Sequence, residues 1–447
     1  MNESRASRNS AVAVLIIGGL FFVFGFVTWL NGALIPFLTI ACELDHVQAY
    51  FVTLVFYIAY MVMALPMSLV LRRTGYKNGL ALGLVIMAVG ALIFVPAAMV
   101  RMYSVFLAGL FVLGTGLTIL QTAANPYIVL IGPVDTAAVR ISIMGLLNKG
   151  AGVVAPLLFT ALVLADISQF TVGNIESLSP ADKLVRLDEL SRRLIEPYLA
   201  MAGVLVLLAA YIKLSPLPNP EFADKDAASA APLSVLRHPK LVLGAVTLFF
   251  YVGAEVVAGD TIALFGRDLG VVHFGGLTAY TMAFMKCGYL LGVIAIPRWI
   301  SQERALVVSA ALGIFLSILV LVGSMESDRF WTAAFAWTGA PGVPYVVLFV
   351  ALFGLANALV WPAVWPMALR GLDKNETATG SALLIMGIAG GAIVPVIFGA
   401  LTESSVDPRM AYGIMLPCYL FILYYALAGH KLDQWVRGST QTAVGTR

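Results

Sequence analysis

Twelve long apolar stretches account for most of the chain and leave it little choice of fold. Each has about 18 residues or more, which is enough to cross the hydrocarbon layer of a bilayer as an α-helix. Only 11% of the residues are charged and 60% are hydrophobic, whereas soluble proteins carry about 25% charged residues. We therefore predict an all-α membrane protein with twelve transmembrane helices. The stretches are 11–38, 49–71, 78–100, 103–130, 138–164, 193–214, 240–263, 276–297, 305–324, 344–367, 376–402 and 409–429.

The twelve stretches divide into two related halves. A polar segment rich in Pro and Ala, 214–239, separates the sixth stretch from the seventh. An ungapped comparison of 140–162 with 379–401 also shows that the fifth and eleventh stretches are similar. We expect two pseudo-symmetric six-helix bundles, over 1–213 and 240–447, joined by the polar segment as a linker. The matched pairs include Ser142 and Ser381, Gly152 and Gly391, Pro156 and Pro395, and Phe159 and Phe398.

The distribution of Lys and Arg predicts the orientation in the membrane. Of the two alternating sets of loops, the set that includes the N-terminal residues carries most of the Lys and Arg, and such loops face the cytoplasm. Both termini are therefore expected in the cytoplasm. Arg5 and Arg8 precede an apolar run that is too long for a signal peptide, so this run should remain as the first helix. The charged segment 166–193 falls on the outside and could form a small surface helix.

Four ionisable residues fall inside the predicted helices: Lys149, Glu255, Asp260 and Lys286. A lysine near the centre of a bilayer costs about 2.5–3.5 kcal/mol unless it meets a partner or a wet cavity. Glu255 and Lys286 are almost equally far along the chain from the turn around Gly270, so they could pair. Lys149 could instead pair with Glu255 or Asp260, donate to a ligand hydroxyl, or stand in for a bound cation.

These charges also suggest coupling to an ion gradient. Glu255 can gain or lose a proton, or ligate a cation such as sodium. We take Glu255 as the coupling acid, and Asp260 and Lys286 as further ion-coupling candidates. The alternative is that the charges form an ion pair with a purely structural role, because a buried charge without a partner is so costly.

Amide side chains on the predicted helices suggest a site for hydroxyl groups. Gln121 and Asn125 are four residues apart and lie on one helix face, and Asn148 adjoins the buried lysine. Asn31 lies on a helix that Pro36 should bend. Because amides both donate and accept hydrogen bonds, they suit a sugar. The alternative is that they bond neighbouring helices.

The tenth predicted helix adds flat aromatic rings, since Asn357, Trp361 and Trp365 recur at intervals of four. A sugar ring has an apolar CH face and a polar rim, so aromatic plates together with amides form a matching site. A tryptophan belt at the membrane interface is the alternative, particularly for Trp365. The candidate substrate-binding residues are Asn31, Gln121, Asn125, Asn148, Lys149, Asn357 and Trp361.

The sequence gives no support to an enzyme. Its four histidines fall in predicted loops or at helix ends, and they form no cluster with metal-ligand spacing. Phosphate-binding and nucleophile motifs of the GxxxxGK[ST] and GxSxG types are absent. We therefore expect no catalytic residues, no metal site and no cofactor other than a coupling proton or sodium ion. With a net charge of +3, nucleic acid is not an expected partner. The expected partners of a monomer are a small sugar and the lipid bilayer.

Several segments together resemble a known family. They are 21–38 (FFVFGFVTWLNGALIPFL), 120–127 (LQTAANPY), 250–255 (FYVGAE), 357–366 (NALVWPAVWP) and 386–395 (MGIAGGAIVP). Their order and content are similar to the fucose, galactose and glucose symporter family of the major facilitator superfamily, whose substrate site lies between two parallel repeats. The resemblance implies import of a monosaccharide across a bacterial inner membrane by alternating access, without chemical change to the sugar.

The chain departs from one branch of that family. The fucose and proton symporters have an acid at the position of Gly32 and another at the position of Gln121, so coupling by their route is not expected here. Gln121 and the Gly253–Glu255 segment resemble the glucose and galactose branch instead. N-acetylglucosamine or fucose permeases and facilitative uniporters of the same family are the alternatives. A multidrug exporter, the alternative from another class, should have a wider and more apolar cavity.

Overall fold

The computed structural model describes most of the chain. Side chains are not described at 2–14, 65, 68, 69, 72, 125–130, 137–142, 234 and 235. The described residues are 2–130, 137–164, 179–215, 217, 234–296, 299–335, 337, 342–372, 380 and 383–435. Most of the predicted linker therefore lies outside the described residues, and so does the side chain of Asn125.

Twelve candidate membrane spans are present among the described residues, which confirms the number predicted from the apolar stretches. Span 6 begins with a polar helix, Pro180–Arg192, capped at its N-terminus by the Ser179 hydroxyl, so a helix does form in the described part of the charged segment 166–193. The spans are, in order, Leu15–Ala41, His46–Ala64, Arg73–Val100, Tyr103–Ala124, Ile143–Val163, Pro180–Leu214, Pro239–Asp260, Phe274–Ala295, Gln302–Val322, Tyr345–Leu369, Leu383–Ser404 and Pro408–Lys431.

Most spans are built from single helices. Spans 2 and 3 follow each other almost without a loop, because Gly75 turns the chain with a φ of +78°, a conformation that glycine adopts without strain. The helices are Phe51–Val100 across spans 2 and 3, Tyr103–Leu130, Ala137–Val163, Ile195–Leu214, Leu277–Ala295, Gln302–Val322, Gly390–Ser404 and Met415–Leu427, with short helices at His46–Ala49 and Arg329–Phe335.

The helices of spans 1 and 10 are interrupted within the span, and the helix of span 7 breaks at its end and continues as a short helix. In span 10 the break has a clear cause, because Pro362 has no N–H to offer the carbonyl of Ala358. Such interruptions expose backbone and polar side chains inside a membrane, and they are tolerated where they line a cavity or are buried in protein. The paired helices are Asn2–Trp29 and Asn31–Ala41 in span 1, Pro239–Asp260 and Ile262–Asp268 at span 7, and Tyr345–Asn357 and Val360–Leu369 in span 10.

The two repeated segments occupy equivalent places in the bundle. Gly152 of span 5 lies against Trp29 of span 1 and Met282 of span 8. Its matched residue, Gly391 of span 11, lies against a residue of span 7 and Tyr57 of span 2. Each repeat therefore packs on the first span of its own half and on the second span of the other half. The sequence similarity of the two segments thus corresponds to a shared position at the seam between the halves.

Contacts between the halves gather toward one end. We call the end at which span 1 finishes at Ala41 the distal end, and the opposite end the proximal end. At the distal end Glu403 accepts a hydrogen bond from the backbone of Val47 at 3.2 Å, and the rings of Tyr50 and Phe398 meet edge to face. Proximal ionic contacts among the described residues, such as the Lys240–Asp433 pair, join members of the same half.

Spans 1 and 5 touch through their backbones at Gly25. A Cβ added there would overlap the backbone of Asn148, so only glycine allows the two helices to approach this closely. Gly19, on the same helix, has open space around it, with nothing within 4 Å of an added Cβ. The two glycines therefore differ in packing while sharing the same helix.

We expect Gly25→Ala to destabilise the protein by about 1–3 kcal/mol, because the added methyl group must push spans 1 and 5 apart. The measurement is the thermal unfolding midpoint of purified protein in detergent. Gly19→Ala is the matched control and should change the stability by less than about 0.5 kcal/mol. Equal unfolding midpoints for the two variants would contradict the close approach at Gly25.

Candidate functional site

A buried ion pair joins the two halves of the protein. The ammonium nitrogen of Lys149 in span 5 lies 2.6 Å from a carboxylate oxygen of Glu255 in span 7. Both residues are only 7% exposed. At this distance the hydrogen bond is charge-assisted and strong. The sequence left two pairings of Glu255 open, and the structure selects Lys149.

The indole of Trp29 lies next to this ion pair. The Lys149 ammonium is 4.4 Å from the centre of the Trp29 ring, a distance at which a cation is attracted to the ring face. Gly152 and Gly259 lie on the ring, since a Cβ added to either would come within 2.7 Å of it. Trp29 thus fills the space between a span 5 glycine and a span 7 glycine, on the distal side of the pair.

A row of aromatic residues continues from the pair into the second half. Tyr251 is four residues before Glu255 and therefore lies on the same face of the same helix. The Tyr251 ring lies 6.3 Å from that of Trp361, which in turn lies 5.5 Å from that of Trp365. The predicted aromatic face of span 10 is therefore connected to the ion pair through Tyr251. We call Trp29, Lys149, Glu255, Tyr251 and Trp361 the central cluster.

Several buried N–H donors on spans 1 and 10 have no hydrogen-bond partner among the described residues. They are Nδ2 of Asn31 and Asn357 and Nε1 of Trp29 and Trp365. The other amide atom of Asn357, Oδ1, accepts a hydrogen bond from Tyr419 at 2.8 Å. A buried donor without a partner costs about 1–3 kcal/mol, so these donors suit a ligand with oxygen acceptors. Asn31 and Asn357 come from different halves.

Two of the predicted amides have partners inside the first half. The Gln121 amide donates to the hydroxyl of Tyr60 at 2.9 Å, and Gln121 stays partly exposed. The Asn148 amide donates to the backbone carbonyl of Phe21 at 3.3 Å, so it ties span 5 to span 1. The Asn148 side chain therefore links two helices of the same half in this conformation. The carbonyl oxygen of Gln121, in contrast, is left for a ligand.

The remaining two ionisable candidates are placed very differently. Asp260 is fully buried, and both of its carboxylate oxygens lack a partner among the described residues. Lys286 is exposed and makes no salt bridge to Glu255, because the antiparallel hairpin of spans 7 and 8 turns the two side chains to different faces. The Glu255–Lys286 pairing suggested by their spacing is therefore wrong.

Sequence reasoning missed several residues of the site. Trp29, Tyr60 and Tyr419 each contact a predicted residue, yet none was singled out. Trp29 is two residues from Asn31, so its place beside the same helix break could have been noticed. Tyr60 and Tyr419 carry no such signal, because their roles depend on which spans pack together.

We expect Lys149→Met to destabilise the protein by about 3–5 kcal/mol, because it leaves the Glu255 carboxylate buried without a partner. The double variant with Glu255→Gln should lose much less than the sum of the two single variants. Thermal unfolding in detergent measures all three. The exposed Arg186–Glu189 pair, at 3.1 Å, is the control and should contribute about 0–1 kcal/mol. Additive losses at Lys149 and Glu255 would show that the two charges do not interact.

Comparison with known proteins agrees with this architecture. The family model for the Major Facilitator Superfamily matches residues 17–342. A glucose/galactose transporter of Brucella abortus is 33% identical over 96% of this chain and 97% of its own length. An L-fucose-proton symporter of Haemophilus influenzae is 28% identical over 97% of this chain and 100% of its own length.

Solved structures show the same fold. The Escherichia coli fucose:proton symporter superposes with a TM-score of 0.70 and 22% identity, covering 94% of this chain and 98% of that one. A bacterial homologue of the lysosomal transporter Spinster, in an inward-facing and unoccupied conformation, gives a TM-score of 0.62 and 16% identity, over 96% and 99% of the two chains. The chain therefore belongs to the Major Facilitator Superfamily and is a multi-pass membrane transporter rather than an enzyme.

Proposed function

We propose that this transporter imports a neutral hexose of the glucose and galactose type, coupled to a cation, by alternating access. The glucose/galactose relative aligns over almost the entire chain, which supports a sugar of this class. The observation that carries the proposal is the central cluster. It combines an aromatic plate, a buried ion pair across the seam and, beside it, unpartnered amide donors from both halves.

The chemistry of a sugar fits this combination. The Asn31 and Asn357 amides would donate to sugar oxygens, and Trp361 would stack on the apolar CH face. Gln121 would accept from a hydroxyl, since its carbonyl oxygen is free to do so while its nitrogen bonds Tyr60. Asn125, predicted on the same face as Gln121, belongs to this proposal as well. Asn148 would join the site only after releasing the carbonyl of Phe21.

The proposed transport cycle uses the seam between the halves. The bundles over 1–213 and 240–447, joined by 214–239, would rock against each other around the central cluster. With both termini in the cytoplasm, the distal end would face the outside of a bacterial inner membrane. The contacts gathered at the distal end then correspond to an inward-facing conformation of a monomer.

Coupling would act through Glu255. When Glu255 binds a proton, its attraction for the Lys149 ammonium is lost, and Lys149 becomes free to donate to a sugar hydroxyl. A sodium ion beside Glu255 would weaken the pair in the same way. Asp260 and Lys286 remain further candidates for ion coupling.

The sugar is identified by counterflow in proteoliposomes. Vesicles loaded with unlabelled glucose should take up labelled glucose, and galactose should compete with it. N-acetylglucosamine, L-fucose and the open-chain polyol mannitol complete the panel. Competition by L-fucose alone would assign the chain to the fucose permeases, and competition by unrelated apolar cations would favour an exporter.

We expect Gln121→Ala to weaken glucose binding by about 1–3 kcal/mol, because a sugar hydroxyl loses its acceptor. Half-saturation of counterflow measures the change. The matched control is Thr122→Ala, since the Thr122 hydroxyl bonds only the carbonyl of Thr118 on its own helix, at 2.7 Å. Unchanged affinity in the Gln121 variant would remove this residue from the sugar site.

We expect Glu255→Gln to abolish accumulation driven by an imposed proton or sodium gradient while counterflow continues. The reason is that glutamine can neither take up a proton nor balance a cation, yet it can still hydrogen-bond Lys149. Accumulation is measured as the ratio of internal to external sugar, with each gradient imposed separately. Equal loss of accumulation and counterflow would indicate that Glu255 is structural.

A further inference from the structure

Asp260 is the one aspartate among the described residues with no exposed surface. It ends the first helix of span 7, immediately before the break at Thr261. Neither carboxylate oxygen has a hydrogen-bond partner among the described residues. A buried carboxylate is far more costly than a buried carboxylic acid when nothing pairs with its charge. The surroundings of Asp260 therefore favour its neutral, protonated form.

The ionisable neighbours of Asp260 do not supply a counter-charge. Glu255, on the same helix, is an acid itself, and it already pairs with Lys149. Tyr57 and Tyr50, on span 2 of the other half, lie against Gly391 and Gly399 of span 11, which packs beside span 7. Farther toward the distal end, Arg267 pairs with Asp268 at 2.8 Å, and His46 lies 3.7 Å from Asp268. Tyr412 shares a hydrogen bond with Thr261 at 3.0 Å.

Asp260 lies in a part of span 7 that packs against the other half near the distal end. The preceding residue, Gly259, lies against the ring of Trp29 from the other half, and Tyr50 and Tyr57 also belong to that half. The carbonyls of Gly259 and Ala258 are taken by the hydroxyls of Thr278 and Thr281 in span 8. Separation of the halves at this end would remove Trp29 and the span 2 tyrosines from span 7, and it would admit water to Asp260. An aspartate in water is ionised at neutral pH.

We propose that Asp260 binds a proton when the distal end closes and releases it when the distal end opens. On opening, the O–H bond of the carboxylic acid breaks and the proton passes to water on the distal side, leaving the carboxylate hydrated. Because the distal-closed state then holds one proton more, it is favoured at low pH and lost as the pH rises. This proton site is separate from Glu255, and it rests on the proposed alternating access but not on the identity of the sugar.

The test measures the distal opening without any sugar. Nitroxide labels are attached through Val185→Cys in the first half and Val406→Cys in the second, both exposed in the structure, in a background with Cys287→Ser. Pulsed electron paramagnetic resonance then gives the distance between the labels in nanodiscs across a pH series. The ratio of the long-distance to the short-distance population should rise by up to about tenfold per pH unit in the labelled parent.

Asp260→Asn should remain in the short-distance state at every pH, because an asparagine stays neutral. Loss of the pH response in Asp260→Asn, in which the Glu255–Lys149 pair is intact, would separate this proton site from the coupling proposed for Glu255. An unchanged pH response in Asp260→Asn would overturn the proposal. If sugar counterflow fails while the distance between the labels still responds to pH, the proposed sugar is rejected and the Asp260 proton site stands.

If Asp260→Asn does not purify as a single species, infrared spectroscopy of the parent protein decides the matter. Protein grown with carbon-13 aspartate distinguishes aspartic acid from glutamic acid, because only the aspartic C=O band moves. We expect a protonated aspartic C=O band at neutral pH that disappears on alkalisation together with the short-distance population. Absence of this band at neutral pH would overturn the proposal.

Discussion

The Lys149–Glu255 ion pair is the interaction on which the arrangement of the two halves depends. Its members come from spans 5 and 7, so it joins the halves, and both residues are buried. Pulling the halves apart at this level would leave two buried charges, each costing several kcal/mol. Movement is therefore tied to an event that changes one of these charges or offers them new partners. A proton, a cation and a polyhydroxylated ligand are all capable of that.

The sequence predicted the fold well because span formation is a local property. An apolar stretch of sufficient length has no stable alternative to a membrane helix, so twelve stretches became twelve spans. The sequence also indicated that Lys149 needs a partner, because it is a charged residue within an apolar stretch. The match of Gly152 with Gly391 in the sequence also corresponds to a shared position in the structure, since both glycines lie at the seam between the halves.

The details of the site depended on how helices rotate about their axes, which no single stretch specifies. Glu255 and Lys286 have equal depth but point to different faces, so depth alone gave the wrong pairing. Asn148 has the polarity of a ligand-binding residue, yet the close approach of spans 1 and 5 at Gly25 places its amide on the carbonyl of Phe21. Trp29 lies beside the ion pair because its ring packs on two glycines of other spans, Gly152 and Gly259. These contacts form only when the spans pack together, so the sequence of span 1 alone does not show them.

The interruptions in spans 1 and 7 have one further consequence. Each leaves a short outer helix, Asn31–Ala41 in the first half and Ile262–Asp268 in the second, and these two helices touch each other. Spans 1 and 7 are the opening elements of the two repeats, so the pseudo-symmetry of the halves extends to the breaks in these two spans. The distal end is thus closed by two equivalent helical segments, one from each repeat.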